Sequence, residues 1–411
     1  MPRSLVPLLV AVLVLFSAQQ LLTPVLAPLS RELALTETQL GLVITVAALM
    51  LTVTSPLWGR ALDAFGLRTV LVAGLVLSTV GLAGFAGAAA AGLDGATTPP
   101  VTFALILATR SLLFGAGIAA VPVAALAAAS TATSTEADRT RAVGLVGAAQ
   151  GVSLVLGPAV GGLLAVLSLL LPLYLAPAIT ALLAVWVLAT VARMPARAER
   201  PARAAGVRPW DHRVLPFLVI GFLLYVSLSL VQVVVGFVIA DRLELASQAT
   251  AGATGIVLFA AGVVLVGVQG ALVPKLGWPA LRLMRVGIPV AVASFVLLLV
   301  AGALWSITAA FALLALGLGL AIPGFTAAAS LAVGPDQHGA IAGLVTATTG
   351  ATFMVGPLLG TALYEVAPAA PVLASLIAVV GAWAFVWVFA AARRTGVSSA
   401  GREGTASRSS G

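Results

Sequence analysis

Long apolar segments fill most of the chain, and short stretches with charged residues, proline or glycine separate them. An α-helix crosses the hydrocarbon core of a bilayer with about 20 apolar residues. Twelve segments have that length, at residues 5–26, 39–58, 69–91, 101–127, 141–167, 172–191, 214–240, 251–273, 283–303, 305–328, 340–365 and 372–392. The pattern therefore predicts an all-α integral membrane protein with twelve transmembrane helices.

The fifth and eleventh predicted helices share a pattern of small residues and proline. Gly157 and Pro158 in the fifth helix correspond to Gly356 and Pro357 in the eleventh, and a further glycine follows in register in both. An internal repeat of apolar helices is typical of transporters that consist of two related halves. We therefore expect two six-helix bundles related by a pseudo-twofold axis.

The repeat and the arginine-rich segment between the sixth and seventh helices predict the domain boundaries. We expect an N-terminal bundle at residues 1–192, a cytoplasmic linker at 193–213, a C-terminal bundle at 214–392 and a disordered cytoplasmic tail at 393–411. The linker carries several prolines and arginines, so it is either a solvated connection or a contact for anionic lipids.

Composition supports a membrane protein and excludes several kinds of site. The 411 residues are 61% hydrophobic and 8% charged, with a mean hydropathy of +1.17, which no soluble domain could bury. Cysteine is absent, so disulfides, thiolate metal sites and cysteine nucleophiles are excluded. His212 and His338 lie in predicted loops, so we expect no metal and no cofactor.

The positions of the basic residues predict the orientation. With the N-terminus inside, nearly all arginines and the single lysine fall on the cytoplasmic side, and only Arg31 and Arg242 lie outside. The net charge of +8 then reflects basic cytoplasmic loops and not a nucleic-acid partner. The first segment could be a signal peptide, but its removal would place Arg60 and Arg68 outside. We therefore expect a multi-pass plasma-membrane protein with both termini in the cytoplasm.

The connection between the second and third predicted helices contains Gly59, Asp63, Gly66 and Arg68. This spacing resembles the signature loop of the major facilitator superfamily, and the second half has a degenerate copy with Pro274 at the position of the aspartate. The resemblance implies a rocker-switch transporter. It also implies that Asp63 latches the two halves on the cytoplasmic side while the cavity opens outward.

Arg110, in the fourth predicted helix, is the one charge in the interior of a span. An arginine near the middle of a bilayer costs several kcal/mol and must face a cavity or a partner. With Gly115 and Gly117, it is similar to the helix 4 motif of the same family. Three roles remain open: an anchor bonded to helix carbonyls, a partner in proton coupling, or a counter-ion for an anionic substrate. No Asp or Glu in the interior of a span completes a carboxylate relay.

The fifth predicted helix carries Gly157, Pro158, Gly161 and Gly162, which resembles the antiporter motif of exporters such as drug–proton antiporters. Small residues at this spacing allow helix backbones to touch, and proline frees a carbonyl and kinks the helix. The motif is either a seam along which the halves slide or ordinary helix packing. Its repeat in the eleventh helix favours the seam.

In this family helices 1, 4, 7 and 10 line the central cavity, and polar residues on them are the leading candidates for substrate or proton contacts. Any one of them could instead make a hydrogen bond between helices. The candidates are Arg110, Gln19, Gln20, Tyr225 and Gln232, with Gln150 on helix 5.

The leading hypothesis for function is a secondary transporter that exports a small hydrophobic or amphipathic organic compound by proton antiport. The alternative is uptake or uniport of a small organic anion, with Arg110 as the counter-charge. A membrane enzyme would need convergent catalytic or metal-binding residues, and the sequence shows none. A non-transporting receptor or scaffold stays open. As partners we expect a small-molecule substrate and membrane lipids, and we expect a monomer.

Overall fold

The computed structural model describes residues 5–131, 136–191, 208–334 and 337–387. These residues form twelve helices long and apolar enough to cross a membrane. Numbered α1 to α12 in chain order, they are Val6–Glu32, Glu37–Phe65, Leu67–Leu93, Pro99–Ala129, Gly144–Leu167, Leu171–Thr190, Leu215–Leu243, Ser247–Leu276, Ala280–Val300, Leu304–Leu331, Ala340–Val366 and Ala370–Trp387. The predicted all-α transmembrane fold is confirmed. Most of the predicted linker, the tail and the end of the last predicted segment lie outside the described residues.

Several helices extend beyond the apolar segments that predicted them, because their ends carry polar residues. The helix that contains α5 begins at Glu136. Arg282, expected just before the ninth apolar segment, lies in the first turn of α9, which begins at Ala280. Asp63 is likewise in the last turn of α2 and not in an open loop, since this helix continues to Phe65.

Glycines with positive φ end the second helix of each half. Gly66 has φ +79° and lets α3 begin at the next residue, while Gly277 has φ +55° at the end of α8. A residue with a Cβ atom rarely adopts this conformation, so glycine is required at both turns. The start of α2 is fixed by a capping box in which Thr36 and Gln39 each bind the other's backbone N–H.

Each half has its own apolar core. One core consists almost entirely of residues from α1 to α6, and a second consists of residues from α7 to α12. A third, smaller cluster joins the halves: Ala27 of α1, Leu40 of α2, Phe237 and neighbours of α7, and Tyr364 of α11. This cluster lies beside Arg31 and Asp241, and we call this end of the molecule the Asp241 end. The opposite end, which carries Asp63, is the Asp63 end.

The two halves touch at the Asp241 end and separate toward the Asp63 end. On α5 and α8, a Cβ atom on Gly162 would lie 2.7 Å from Gly255, and one on Gly262 would lie 2.9 Å from Val155. Farther toward the Asp63 end, glycines from four helices have no described neighbouring atom, apart from their own helix backbone, within 4 Å of where a Cβ would stand. These are Gly59 of α2, Gly147 and Gly151 of α5, Gly267 and Gly270 of α8, and Gly343 and Gly350 of α11. Between the described parts of the two halves, the space is therefore open at the Asp63 end.

Candidate functional site

Arg110 lies in a π-helical turn of α4, Leu107–Leu113, which interrupts the α-helix at the level of the apolar core. Such turns are frequently found at functional sites. The backbone of α3 approaches this turn closely, because a Cβ atom on Gly81 would lie within 3 Å of Thr109 and Phe114. Ser111 also donates a hydrogen bond of 2.7 Å to the carbonyl of Val43 on α2. The turn is thus fixed on two sides by neighbouring helices.

The Arg110 side chain is 5% exposed, and its guanidinium lies 4.6 Å from the centre of the Phe114 ring. Its Nε and Nη1 atoms are buried and have no hydrogen-bond partner. Among the described residues no carboxylate lies within 4 Å of it. A desolvated cation–π contact contributes about 2 kcal/mol, which does not offset the several kcal/mol of burying a charge. The anchor role is therefore not supported at these two atoms, whose N–H groups lack an acceptor among the described residues.

Five other polar atoms of the first half are buried without a hydrogen-bond partner among the described residues: Gln19 Oε1, Ser17 Oγ, Thr45 Oγ1, Ser78 Oγ and Arg68 Nε. The sequence singled out Gln19 but missed the three hydroxyls. Serine and threonine in helices commonly bond back to a carbonyl one turn earlier, as Thr52 does here. No sequence signal distinguishes the hydroxyls that do so from those that do not.

The remaining candidates lie in separate places. Tyr225 of α7 is half-buried and meets the edge of Phe325 of α10, with ring centres 6.2 Å apart. Gln150 and Gln232 are half-buried. No hydrogen bond or ring contact among the described residues joins Gln19, Tyr225 or Gln232 to Arg110. In this conformation the polar candidates are thus not assembled into one cluster.

The helix 5 motif makes two kinds of contact. Gly157 and Gly161 pack against Gln20 and Leu21 of α1, within the first half. The next residue, Gly162, packs against Gly255 of α8, in the other half. Gln20, predicted as a cavity contact, therefore lies at the α1–α5 contact beside Gly157.

The repeat in α11 makes the equivalent contacts in the second half. Gly356 and Gly360 pack against Ser229 and Leu230 of α7, within their own half. The carbonyl of Pro357 and the side chain of Thr361 instead face Gly41 of α2, across the interface. Each copy of the repeat therefore fixes its helix to the first helix of its own half and presents its next residue to the other half. A pseudo-twofold axis between the halves requires such equivalent contacts.

At the Asp63 end, no hydrogen bond or ion pair among the described residues joins the predicted signature loop to the other half. Asp63 is exposed and has no ion pair among the described residues, and the space around Gly59 is open. Arg68 donates a hydrogen bond from Nη2 to the carbonyl of Leu188 at the end of α6. In a conformation open at this end, a latch through Asp63 is not formed, and its role stays a prediction.

At the Asp241 end, polar contacts across the interface accompany the apolar cluster. Arg31 of α1 donates to both oxygens of Asp241 on α7, at 2.5 and 3.0 Å, and also to Glu37 at 3.1 Å. The hydroxyl of Tyr364 on α11 donates to Asp241 at 2.6 Å. The guanidinium of Arg31 lies 5.0 Å from the centre of the Phe237 ring.

Two further carboxylates cross the interface at this end. Glu365 of α11 accepts a hydrogen bond of 2.7 Å from the backbone N–H of Thr38, in the first turn of α2. Glu32 of α1 accepts one of 2.5 Å from the hydroxyl of Ser247, in the first turn of α8. A carboxylate is favourable at a helix N-terminus, where the backbone N–H groups are unpaired. We call the contacts of Arg31, Asp241, Tyr364, Glu365 and Glu32 the Asp241 latch.

No sequence motif predicted this latch, and Arg31 was expected only as a charge outside the membrane. The signal was present, since Arg31 is one of two predicted external cations and stands among acidic residues. Within the described residues, no group of His, Cys, Asp or Glu side chains is arranged to hold a metal ion.

Comparison with known proteins gives the family. The sequence profile of the Major Facilitator Superfamily matches residues 8–348. The chain belongs to this superfamily. Among curated relatives, a class G tetracycline resistance protein of Vibrio anguillarum is 30% identical over 387 residues, 90% of each chain. A class C tetracycline resistance protein of Escherichia coli is 29% identical over 391 residues, 91% of this chain and 92% of the relative.

Solved structures of the superfamily share the fold at low sequence identity. A bacterial homologue of the human lysosomal transporter Spinster, in an inward-facing and occupied conformation, has a TM-score of 0.70 at 13% identity, over 93% of this chain and 95% of its own. The nucleoside transporter NupG has a TM-score of 0.65 at 14% identity, over 95% and 98%. The protein is therefore a multi-pass membrane transporter of the superfamily, and not an enzyme.

Proposed function

We propose that this superfamily member exports a small amphipathic organic compound in exchange for protons, by alternating exposure of a cavity between its two halves. The observation that carries the proposal is the likeness to tetracycline resistance proteins, which extends over nine tenths of each chain. A membrane transporter gives resistance most directly by removing the toxic compound from the cell. The resemblance of the Gly157 segment to the antiporter motif agrees with this direction.

With the predicted orientation, the described conformation corresponds to one step of the transport cycle. Basic residues put the Asp63 end in the cytoplasm, so the space between the halves is open toward the cytoplasm and closed by the Asp241 latch on the outside. An exporter loads its cargo in such a state. Closure of the Asp63 end and release of the latch would then expose the cargo to the exterior.

The side chains around Arg110 suit a cargo that is mostly apolar and carries hydrogen-bond acceptors along one edge. Arg110 has N–H groups without an acceptor among the described residues, beside the face of Phe114. Gln19 Oε1, elsewhere in the same half, would instead accept a hydrogen bond from a donor on the cargo. A carboxylate, enolate or phenolate oxygen is the kind of group that a guanidinium binds well. The aromatic and aliphatic residues around it suit the rest of such a molecule.

Arg110 does not carry the exchanged proton, because arginine keeps its proton in proteins. The proton is then carried by a carboxylate or by the cargo itself. The carboxylates within the described spans all lie near helix ends: Glu32, Glu37, Asp63, Asp241 and Glu365. Asp241 is the one that links three helices from both halves, and it is the leading candidate.

A second candidate function, uniport of an organic anion, is favoured by the same unpartnered Arg110. The two functions differ in their driving force. A proton antiporter responds to a pH gradient, whereas a uniporter of anions follows the membrane potential and needs no gradient.

The test uses purified protein in liposomes and tetracycline, whose fluorescence reports accumulation. With an acidic lumen and the membrane potential clamped at zero, antiport predicts accumulation that nigericin abolishes and that empty liposomes do not show. A panel of aromatic anions added to the same liposomes extends the test, because antiport of any of them releases protons from the lumen. Accumulation driven by membrane potential at equal pH, without proton release, would support uniport instead.

A further inference from the structure

Basic residues and tryptophans meet where α8, α9 and α12 reach the Asp63 end. The guanidinium of Arg282 lies 4.4 Å from the centre of the Trp278 ring, and that of Arg285 lies 4.7 Å from the centre of the Trp387 ring. Trp383 packs edge-on against Trp387. We call Trp278, Arg282, Arg285, Trp383 and Trp387 the Arg282 cluster.

The positive charge of this cluster is not balanced within the described residues. Neither arginine has a carboxylate within 4 Å, and the Nε atom of Arg285 is buried without a hydrogen-bond partner. Both arginines lie in the first two turns of α9, which has no acidic residue in its first turn and no side-chain cap. Cations are unfavourable at a helix N-terminus, so the arrangement favours a bound anion.

The corresponding place in the first half is arranged differently. There Arg68, at the start of α3, donates to the carbonyl of Leu188 at the end of α6. The arginine therefore satisfies a helix end within its own bundle. In the second half Arg285 instead lies over the Trp387 ring at the end of α12. The Nε atoms of both arginines are buried without a hydrogen-bond partner among the described residues, so the two places differ in the contact with Trp387.

An apolar surface continues from the cluster along the bundle. On α9, Val286 is exposed one turn beyond Arg282, and on α12 Ile377 is exposed about 15 Å along the helix from the exposed Trp387. That distance is about the depth of one leaflet of the hydrocarbon core, so this surface suits acyl chains. A free phosphate ion would use the charges but not this surface.

We infer that the Arg282 cluster binds an anionic phospholipid, whose headgroup phosphate is held by Arg282 and Arg285 and whose acyl chains lie along α9 and α12. Tryptophan and arginine are both suited to the boundary between headgroups and chains. The positive-inside rule places the cluster in the cytoplasmic leaflet, where anionic lipids attract basic residues. This site is separate from the linker at residues 193–213, and it does not depend on what the protein transports.

The test is binding of phosphatidylglycerol, followed by native mass spectrometry of the purified full-length chain. Phosphatidylcholine serves as the reference lipid. The double variant Arg282→Gln, Arg285→Gln should weaken phosphatidylglycerol binding about fivefold for each arginine removed, with little change for phosphatidylcholine. A second measurement locates the lipid. In vesicles, phosphatidylglycerol with brominated chains quenches the fluorescence of tryptophans that it contacts. This quenching should be weaker in the double variant.

Arg213→Gln is the control for the loss of an arginine charge at the same end of the molecule, and it removes one of the two charges that the double variant removes. Arg213 donates to Asp211 at 2.7 Å, and this hydrogen bonding lowers the pKa of the Asp211 carboxyl to about 2. Arg213 is thus already paired, and its variant should bind phosphatidylglycerol like the parent protein. An equal loss of phosphatidylglycerol binding in the control and in the double variant would overturn the inference. So would equal affinity for the two lipids, or displacement of the lipid by millimolar inorganic phosphate.

Discussion

At the scale of single residues, Arg110 is the side chain whose position demands a functional explanation. A guanidinium with buried N–H groups and no partner loses its hydration without full compensation, and the Phe114 ring offsets only part of that loss. The π-helical turn places this residue between neighbouring helices that approach at Gly81 and Val43. A bound acceptor in the transport cycle would supply the missing interaction.

Arg110→Ala should reduce transport, measured as kcat/KM in proteoliposomes, by about one hundredfold. The reason is that a hydrogen bond to a charged group contributes about 1.5–3 kcal/mol, and the variant removes all of those that Arg110 makes to cargo. Arg110→Lys, the control, keeps the charge but loses the planar fork and should fall in between. Size-exclusion chromatography should show both variants folded. Full activity of Arg110→Ala would mean that the residue is an anchor.

The sequence predicted some of the site at this scale and missed the rest for a physical reason. A charge in the interior of an apolar segment, such as Arg110, is visible without coordinates because its burial is expensive. The pairing of Arg31 with Asp241 is not visible, because it depends on how two halves, distant in sequence, meet in one conformation. The hydroxyls of Ser17 and Thr45 are hidden for a similar reason, since only neighbouring helices decide whether they find a partner.

At the scale of helices, the glycine-proline repeat was predicted correctly as a feature of α5 and α11. The pattern could not show which residue of each copy faces which neighbour. In a helix, consecutive residues point about 100° apart, so Gly161 and Gly162 serve different contacts. Gly161 packs on α1 within its half, and Gly162 packs on α8 across the interface. The contact of Gly162 with the other half therefore supports the hypothesis that the motif forms a seam between the halves.

Gly162→Val should separate α5 from α8 at the Asp241 end. A Cβ atom there would lie 2.7 Å from the Cα atom of Gly255, and backbone cannot give way without a helix shift. The chain has no cysteine, so spin labels can be placed freely on cysteines introduced at Ala96 and Gly302. Double electron–electron resonance should show a longer distance across the Asp241 end in Gly162→Val than in the parent protein.

Gly147→Val provides the control on the same helix. Apart from its own helix backbone, no described atom lies within 4 Å of where its Cβ would stand, so the distance across the Asp241 end should stay that of the parent protein. Equal distances in Gly162→Val and the parent protein would show that the α5–α8 contact does not hold this end closed.

At the scale of the whole molecule, contacts between the halves are concentrated at the Asp241 end. A partly exposed ion pair contributes about 0.2–1 kcal/mol, and a hydrogen bond to a charged group about 1.5–3 kcal/mol. The few contacts of the Asp241 latch therefore sum to several kcal/mol. Moving a two-state equilibrium from 1:99 to 99:1 takes about 5.5 kcal/mol. A latch of this size can hold one state and still be released in each cycle.

Asp241→Asn should weaken the latch while preserving the shape of the side chain. It removes the charge that pairs with Arg31 and that Tyr364 binds. The loss of about 1 kcal/mol should lower the ratio of closed to open Asp241 ends about fivefold. The same pair of spin labels, at Ala96 and Gly302, measures this ratio.

Glu244→Gln is the matched control for the latch, because it removes a charge on the same connection. Glu244 is exposed and has no ion pair among the described residues, so its variant should keep the closed population. If Asp241 acts through Arg31, then Arg31→Ala combined with Asp241→Asn should open this end no further than Arg31→Ala alone. An unchanged ratio in Asp241→Asn would instead assign the closure to the apolar cluster of Ala27, Leu40, Phe237 and Tyr364. Release would then have to come from repacking of that cluster rather than from a change of charge.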